Sequence, residues 1–442
     1  MAADMECKMI ENHSMEKMKH PKGLYLLFTV EMWERFSYYG MRALLVLYMI
    51  KALQFSTEKA GSIYGWYTGL VYFTPLIGGY LADRYFGQRM CIMIGGIFIA
   101  MGHFTLAVPY MPCFFAALGL LIIGNGFFKP NISTVVGLLY EENDPRRDGG
   151  FTIFYMGINL GAFFSPLVCG TLGEKIGWHY GFAAAGVGMV TGLLFYLFAQ
   201  NRYLGNKGLR IADVRRTQSQ QNSPLTQVEK ERIAVIFILS FFVIFFWATF
   251  EQAGSSLTLF ADRSTNRVLP WIHWVFPTSY FQAVNPLLII VFAPLFSRLW
   301  LYLAKRKLEP SVPIKFFLGL ILVGLGFLFM IAAAYLFERT GPVGVFWLLA
   351  VYLFHTLGEL CISPVGLSMV TKLSPAKFTS LLMGTWFLAN FTANLVGGLF
   401  AGNYDAMDHK LFFLLPAATA CVSALILLML APTLKKWMHG IH

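Results

Sequence analysis

The sequence predicts an all-α membrane protein of twelve transmembrane helices in two six-helix bundles, and three observations carry that expectation. Of 442 residues, 57% are hydrophobic and only 13% are charged, too little polar side chain to clothe a soluble globule of that size. The mean hydropathy of +0.60 is spread along the whole chain, which calls for many spans rather than one anchor. Windows of about 20 residues, enough to cross roughly 30 Å of hydrocarbon, recur twelve times.

In chain order, the first six spans are expected near residues 23–51, 60–83, 89–109, 113–140, 149–172 and 179–199. The polar stretch NRYLGNKGLRIADVRRTQSQQNSPLTQVEKER follows, and it cannot lie in lipid. The second six are expected near 233–262, 279–304, 314–338, 343–371, 377–402 and 411–431. The chain thus divides into a cytoplasmic N-terminal segment (1–22), a bundle (23–200), a cytoplasmic linker (201–232), a second bundle (233–432) and a cytoplasmic tail (433–442). Two sets of six around a polar linker is the layout of the major facilitator architecture.

A net charge of +11 would suggest a nucleic-acid partner in a soluble protein, but here the Lys and Arg residues fall between the apolar stretches. With the N-terminus inside, the inner segments hold about two dozen of them, among them Arg146, Arg147, Arg215, Arg216, Lys305, Arg306, Lys307, Lys435 and Lys436, against about seven outside. The charge is therefore a topology signal, with no nucleic-acid partner implied, and both termini are expected in the cytoplasm of a plasma (inner) membrane protein. The first twenty residues contain no apolar core for a signal peptidase, so the first span is expected to act as its own insertion signal. Cys7, Cys91, Cys113, Cys169, Cys361 and Cys421 have no CxxC spacing and read as packing residues.

Charges within the spans are the informative feature, because each costs at least a few kcal/mol in lipid and needs a partner, a wet cavity or a task. They are Glu31, Glu34, Arg35 and Arg42 in span 1, Lys129 in span 4, Glu251 in span 7 and Glu359 in span 10. In EMWERFSYYGMR, Glu31, Arg35, Tyr39 and Arg42 recur at helical spacing and line one stripe, with Glu34 beside it. Such a stripe faces a polar interior. Glu31 and Arg35 can pair, which leaves Glu34 as one carboxylate more than a single Arg neutralises, a competition suited to proton exchange; the bland alternative is a static lock between helices. Lys129, in GFFKPNIS beside Pro130 and Asn131, needs an anion, either Glu251 or a substrate carboxylate. His355, Glu359 and Ser363 share a face of span 10, where Glu359 could meet a cation and His355 reads as a packing residue, as does His103. Tyr155, Asn159, Trp247, Asn285 and Trp386 add polar and aromatic groups, although Gly157 and Gly161 around Asn159 also fit close helix packing. No HExxH, GxSxG or paired-Asp motif lies in a span, so an intramembrane enzyme is not expected. Charge pairing across the interior argues against a channel.

These motifs resemble those of the proton-dependent oligopeptide transporters (POT/PTR family), a branch of the major facilitator superfamily, over almost the whole chain. The ExxER pattern stands as Glu31-Met-Trp-Glu34-Arg35. GGYLADRYFGQR (78–89), FYMGINLG (154–161), FWATFEQAGSSL, FQAVNP and GELCISPVGLSMV follow in the family's order. The resemblance implies a proton-coupled symporter that imports di- and tripeptides by alternating access, with protons as coupling ion, no other cofactor, and a monomer as the working unit. It implies proton coupling at Glu31, Glu34, Arg35 and Glu251. Arg42 and Lys129 would face the peptide carboxylate and Glu359 its amino group, with Asn159 and Asn285 bonding ends or backbone. Tyr39, Tyr72, Tyr155, Trp247, Ser363 and Trp386 would shape side-chain pockets, and Arg42, Lys129 and Glu251 would form gate salt bridges. Many bacterial members carry two additional helices between the halves, but the linker here has no apolar segment long enough for them. The rival reading keeps the fold and moves nitrate or another small organic solute, against which Glu359 would repel an anion.

Overall fold

The computed structural model describes residues 19–141, 144–209, 225–269 and 273–440. Twelve long helices follow one another: α1 (Lys22–Lys51), α2 (Thr57–Leu81), α3 (Gln88–Leu106), α4 (Met111–Leu138), α5 (Arg147–Thr171), α6 (Trp178–Leu204), α7 (Gln227–Phe250), α8 (Val284–Lys305), α9 (Val312–Thr340), α10 (Phe346–Leu373), α11 (Thr379–Ala401) and α12 (His409–Trp437). Expected residues 1–18, including Cys7, and 210–224 of the linker lie outside the described residues. The expectation that no two-helix insert stands between the halves falls partly on that stretch.

Nine of the described spans are long and apolar enough to cross a membrane by composition alone. The other three are α1, interrupted by its four charges, and α2 and α11, rich in Gly, Thr, Tyr or Asn. These three owe their place to tertiary contacts, since a polar helix face in a bundle must meet protein or a cavity rather than lipid.

Local chemistry sets the helix ends. Ser56 accepts the Lys59 N–H at the start of α2, Thr226 and Glu229 form a reciprocal capping box on α7, and Asp408 accepts the N–H groups of Lys410 and Leu411 to open α12. After α2, the π-helical turn Ala82–Phe86 ends at Gly87, whose φ of 77° favours glycine.

One departure from expectation concerns span 7. The helix stops at Phe250, a 3-10 turn covers Glu251–Gly254, and a short helix, Ser256–Arg263, completes the crossing. The run Ala253-Gly254-Ser255-Ser256 explains the break, because Gly and Ser are poor at sustaining the i to i−4 ladder. A two-stranded hairpin, β1 (Val268–Leu269) against β2 (Trp274–Val275), then leads through the turn Thr278–Ala283 into α8.

Helices α1 to α6 pack into one bundle, chiefly α1 on α5 and α6, and α4 on α2 and α3. Helices α7 to α12 form the second, chiefly α9 on α10 and α12, and α7 on α11 and α12. The bundles meet through α2 against α11 and through α5 against α8 and its preceding turn. Glycines make the first contact possible. A methyl added at Gly61 would lie 2.6 Å from the Gly398 carbonyl and the Gly402 nitrogen, and one at Gly65 would lie 2.9 Å from the Leu395 carbonyl. Backbone therefore lies on backbone. Cross-bundle polar contacts gather at this same end of the molecule: Lys51 Nζ to Asp262 at 2.6 Å, Thr57 to Asp405, Thr171 to the Tyr280 hydroxyl at 2.8 Å, Lys175 Nζ to the Val275 carbonyl at 2.6 Å, and Glu174 to the Thr278 and Ser279 N–H groups.

Candidate functional site

A cavity of about 280 Å³ lies between the bundles, near the lower end of the range for small-molecule sites. Its wall includes Glu31, Arg35, Tyr39 and Arg42 of α1, Tyr72 of α2, Lys129 of α4, and Tyr155 and Asn159 of α5. From the other bundle come Trp247 of α7, Glu251 of the turn beyond it, Asn285 of α8, Glu359 and Ser363 of α10, and Trp386 of α11. Of the residues expected to couple protons, bind substrate or form gate salt bridges, Glu34 alone is off this wall. It is wholly buried behind Arg35.

The helical spacing of α1 produces its stripe directly. Arg35 Nε lies 3.0 Å from a Glu31 oxygen, one turn earlier, and 2.5 Å from a Glu34 oxygen. Both Glu34 oxygens, one Glu31 oxygen and Arg35 Nη2 have no hydrogen-bond partner among the described residues. The cluster is thus held by charge with its hydrogen-bonding capacity largely unspent. A buried pair whose lone pairs remain open gains little over its desolvation cost.

Two turns along α1, Arg42 donates from Nη2 to Glu251 across the bundle interface and from Nε to the Tyr64 hydroxyl at 2.7 Å. Its guanidinium also lies over the Tyr39 and Tyr64 rings, 5.8 and 5.9 Å from their centroids. The break in α7 places Glu251 there. Of the two partners considered for Lys129, Glu251 is therefore already engaged. Lys129 Nζ stands 4.1 Å above the Tyr72 ring and forms no ion pair among the described residues, so its charge remains directed at the cavity.

On the facing wall, Asn285 donates to Glu359 at 2.9 Å and to the Thr356 hydroxyl at 3.0 Å. Asn285 thereby orients the carboxylate rather than standing alone. Asn159 donates to the Tyr155 carbonyl at 3.0 Å within α5, which leaves its side-chain oxygen as an acceptor. Trp386 packs on Gly366 and Phe316, while the Trp247 indole N–H has no partner among the described residues.

Sequence reasoning passed over Tyr64, Gln282, Tyr352 and Asn390. The last three line the cavity, and Tyr64 holds Arg42. Tyr64, Tyr352 and Asn390 lie in runs whose other residues are small or apolar, and no motif singles them out. His355, read as a packing residue, also stands on the wall. Chemically the cavity offers on the first bundle one cation without an ion pair among the described residues, Lys129, beside Arg35, which Glu31 and Glu34 both face, and Arg42, which is paired across the interface; the second bundle offers a carboxylate, Glu359. No group of three or more His, Cys, Asp or Glu among the described residues could hold a metal.

The model of the POT family matches residues 89–222 and 205–419 of this chain. The chain is 38% identical to the "Uncharacterized transporter YclF" of Bacillus subtilis (strain 168), covering 96% of each protein. It is 35% identical to "Peptide transporter YePEPT" of Yersinia enterocolitica, with 93% of this chain and 94% of the relative covered, and 30% identical to "Dipeptide and tripeptide permease A" of Escherichia coli (strain K12), with 97% and 96% covered. Among solved structures, a crystal structure of peptide transporter POT in complex with sulfate superposes with a TM-score of 0.88 at 36% identity, over 96% of this chain and 97% of that one. A POT family transporter in complex with 5-aminolevulinic acid gives 0.87 at 31% identity, over 94% and 97%.

Proposed function

Since the chain belongs to the POT family of multi-pass membrane transporters, we propose that it is a proton-coupled symporter that imports di- and tripeptides by alternating access. The observation that carries this reading is the division of charge in the cavity: Arg42 and Lys129 on one bundle, Glu359 on the other. A dipeptide zwitterion carries its carboxylate and ammonium at opposite ends. One ligand can therefore answer both walls, and a ligand that touches both bundles favours the state in which both close on it.

In this reading Arg42 and Lys129 hold the peptide carboxylate, Glu359, positioned by Asn285, holds the amino group, and Asn159 bonds the backbone. Tyr39, Tyr72, Tyr155, Trp247, Ser363 and Trp386 surround the side chains. Glu31, Glu34 and Arg35 form the proton site, where protonation of a carboxylate releases Arg35. Glu251 takes a proton in competition with Arg42, so its protonation loosens the cross-bundle contact. Lys129 joins that gate once Glu251 or a substrate carboxylate is free to meet it. With both termini in the cytoplasm, the sealed α1–α2 end faces outward and the cavity belongs to an inward-facing state. The membrane potential adds about 2.3 kcal/mol per charge per 100 mV. The coupling ion is the proton, no other cofactor is needed, and the single chain contains the complete pathway.

Uptake of labelled di-alanine into proteoliposomes under an inward proton gradient tests the proposal. Accumulation above equilibrium that stops when both the pH gradient and the voltage are collapsed is expected. No uptake under any gradient overturns the transport reading, and uptake indifferent to both gradients overturns proton coupling.

A further inference from the structure

His355 is 1% exposed, and both of its ring nitrogens lack a hydrogen-bond partner among the described residues. It nevertheless stands on the cavity wall. The Phe250 and Phe327 rings lie tilted by 32° and 37° to it, at centroid separations of 5.7 and 5.2 Å. Its Cδ2 carbon points at α9, 3.1 Å from where a methyl on Gly326 would sit. The opposite edge, which carries Nδ1, is therefore the one turned away from α9. An imidazole held among phenyl rings with an unspent nitrogen is costly unless something meets it, because an unsatisfied polar group in an apolar interior loses its full hydration. A leucine or phenylalanine would pack there without that cost.

His355 is one helical turn from Glu359, about 6 Å along α10, toward the sealed end of the cavity. On the reading that Glu359 holds the peptide amino group, the side chain nearest that amino group is the first residue's, and it has the blind end of the cavity before it. We infer that His355 is a specificity-determining residue that hydrogen-bonds a carboxamide side chain, Asn or Gln, on the first residue of the peptide. A neutral imidazole presents N–H at one nitrogen and a lone pair at the other. A carboxamide carries both a donor and an acceptor on an arm long enough to span a helical turn, so it can answer Nδ1 in either tautomer. The apolar neighbours do the rest: with Phe250 and Phe327 around the ring, water competes poorly for the same nitrogen.

This inference rests on the assignment of Glu359, which the comparison of free-amine with N-acetylated dipeptides in Glu359→Gln tests by itself. Purified protein is first titrated with Gln-Ala, Leu-Ala and Ala-Gln, and binding is read as thermal stabilisation. The same peptides then compete against labelled di-alanine uptake in proteoliposomes. The wild type is expected to prefer Gln-Ala to Leu-Ala by about tenfold, the usual consequence of leaving one buried polar group unmet, and to prefer Gln-Ala to Ala-Gln. His355→Phe should reduce the Gln-Ala preference to less than twofold while di-alanine binding stays within about twofold, and His355→Gln, which restores a polar group, should retain a preference. Equal affinity of the wild type for Gln-Ala and Leu-Ala, an equal preference for Ala-Gln, or a preference that survives in His355→Phe overturns the assignment. Preferential binding without uptake would overturn transport and leave the His355 assignment standing. If none of these peptides binds, both fall.

Discussion

The carboxylate of Glu174, in the turn after α5, accepts the backbone N–H groups of Thr278 and Ser279, each at 2.8 Å, in the turn that opens α8. A side chain of one bundle thereby caps a helix entry of the other. Unpaired N–H groups at a helix start attract an anion, and charged hydrogen bonds of this kind contribute about 1.5–3 kcal/mol each. Arg267 adds a positive group 4.0 Å away. Glu174→Ala is expected to release the sealed end and raise its open population at least tenfold. The check is labelling by an impermeant maleimide of Ala253→Cys, on the cavity wall, in a cysteine-free background. Unchanged labelling would show that Glu174 is dispensable for the seal.

The Arg42–Glu251 pair is buried, and removing one partner strands the other. Arg42→Gln or Glu251→Gln should each destabilise the sealed state, by about 3–5 kcal/mol for a fully stranded charge. The double variant should lose less than the sum of the two. A double-mutant cycle on melting temperature in nanodiscs measures this, and strict additivity would mean that the two side chains do not act as a pair.

Glu359→Gln keeps the hydrogen bond from Asn285 within reach but removes the charge. Affinity for free-amine dipeptides is expected to fall at least tenfold, against less than threefold for N-acetylated ones. Competition against labelled di-alanine provides the comparison, and equal losses would take away the amino-group assignment.

Glu31→Gln and Glu34→Gln should spare peptide-for-peptide exchange, which moves no net protons, and abolish accumulation driven by a proton gradient. Counterflow and gradient-driven uptake measured on the same vesicles separate the two. Loss of both activities together would make the α1 cluster a structural lock.

Much of this fold could be read from the chain because lipid imposes simple rules: a span must be long, apolar and internally hydrogen-bonded. Buried charges were legible for the same reason, and Glu31, Arg35, Arg42, Lys129, Glu251 and Glu359 stand on one cavity wall. What stayed hidden depends on backbone geometry or on partners distant in sequence. The break at Glu251–Gly254 turns its carboxylate toward Arg42, and a hydropathy window averages across such a turn. Tyr64 acquires its role only because Arg42, 22 positions earlier, reaches its hydroxyl. Glu174 reads as an ordinary loop carboxylate until α8 is placed beside it.

The seam of Gly61 and Gly65 against Gly398 and Gly402 has no side chain in it at all. A residue that clashes there is hidden from every conformation in which α2 and α11 part, so its cost is borne by the sealed state alone. On the proposed topology, a Gly61→Ala or Gly398→Ala chain is expected to fold, insert and meet its ligand from outside, yet not to close behind it. One methyl group would thus separate the two halves of a transport cycle and give a means of isolating the outward-facing form without touching the cavity.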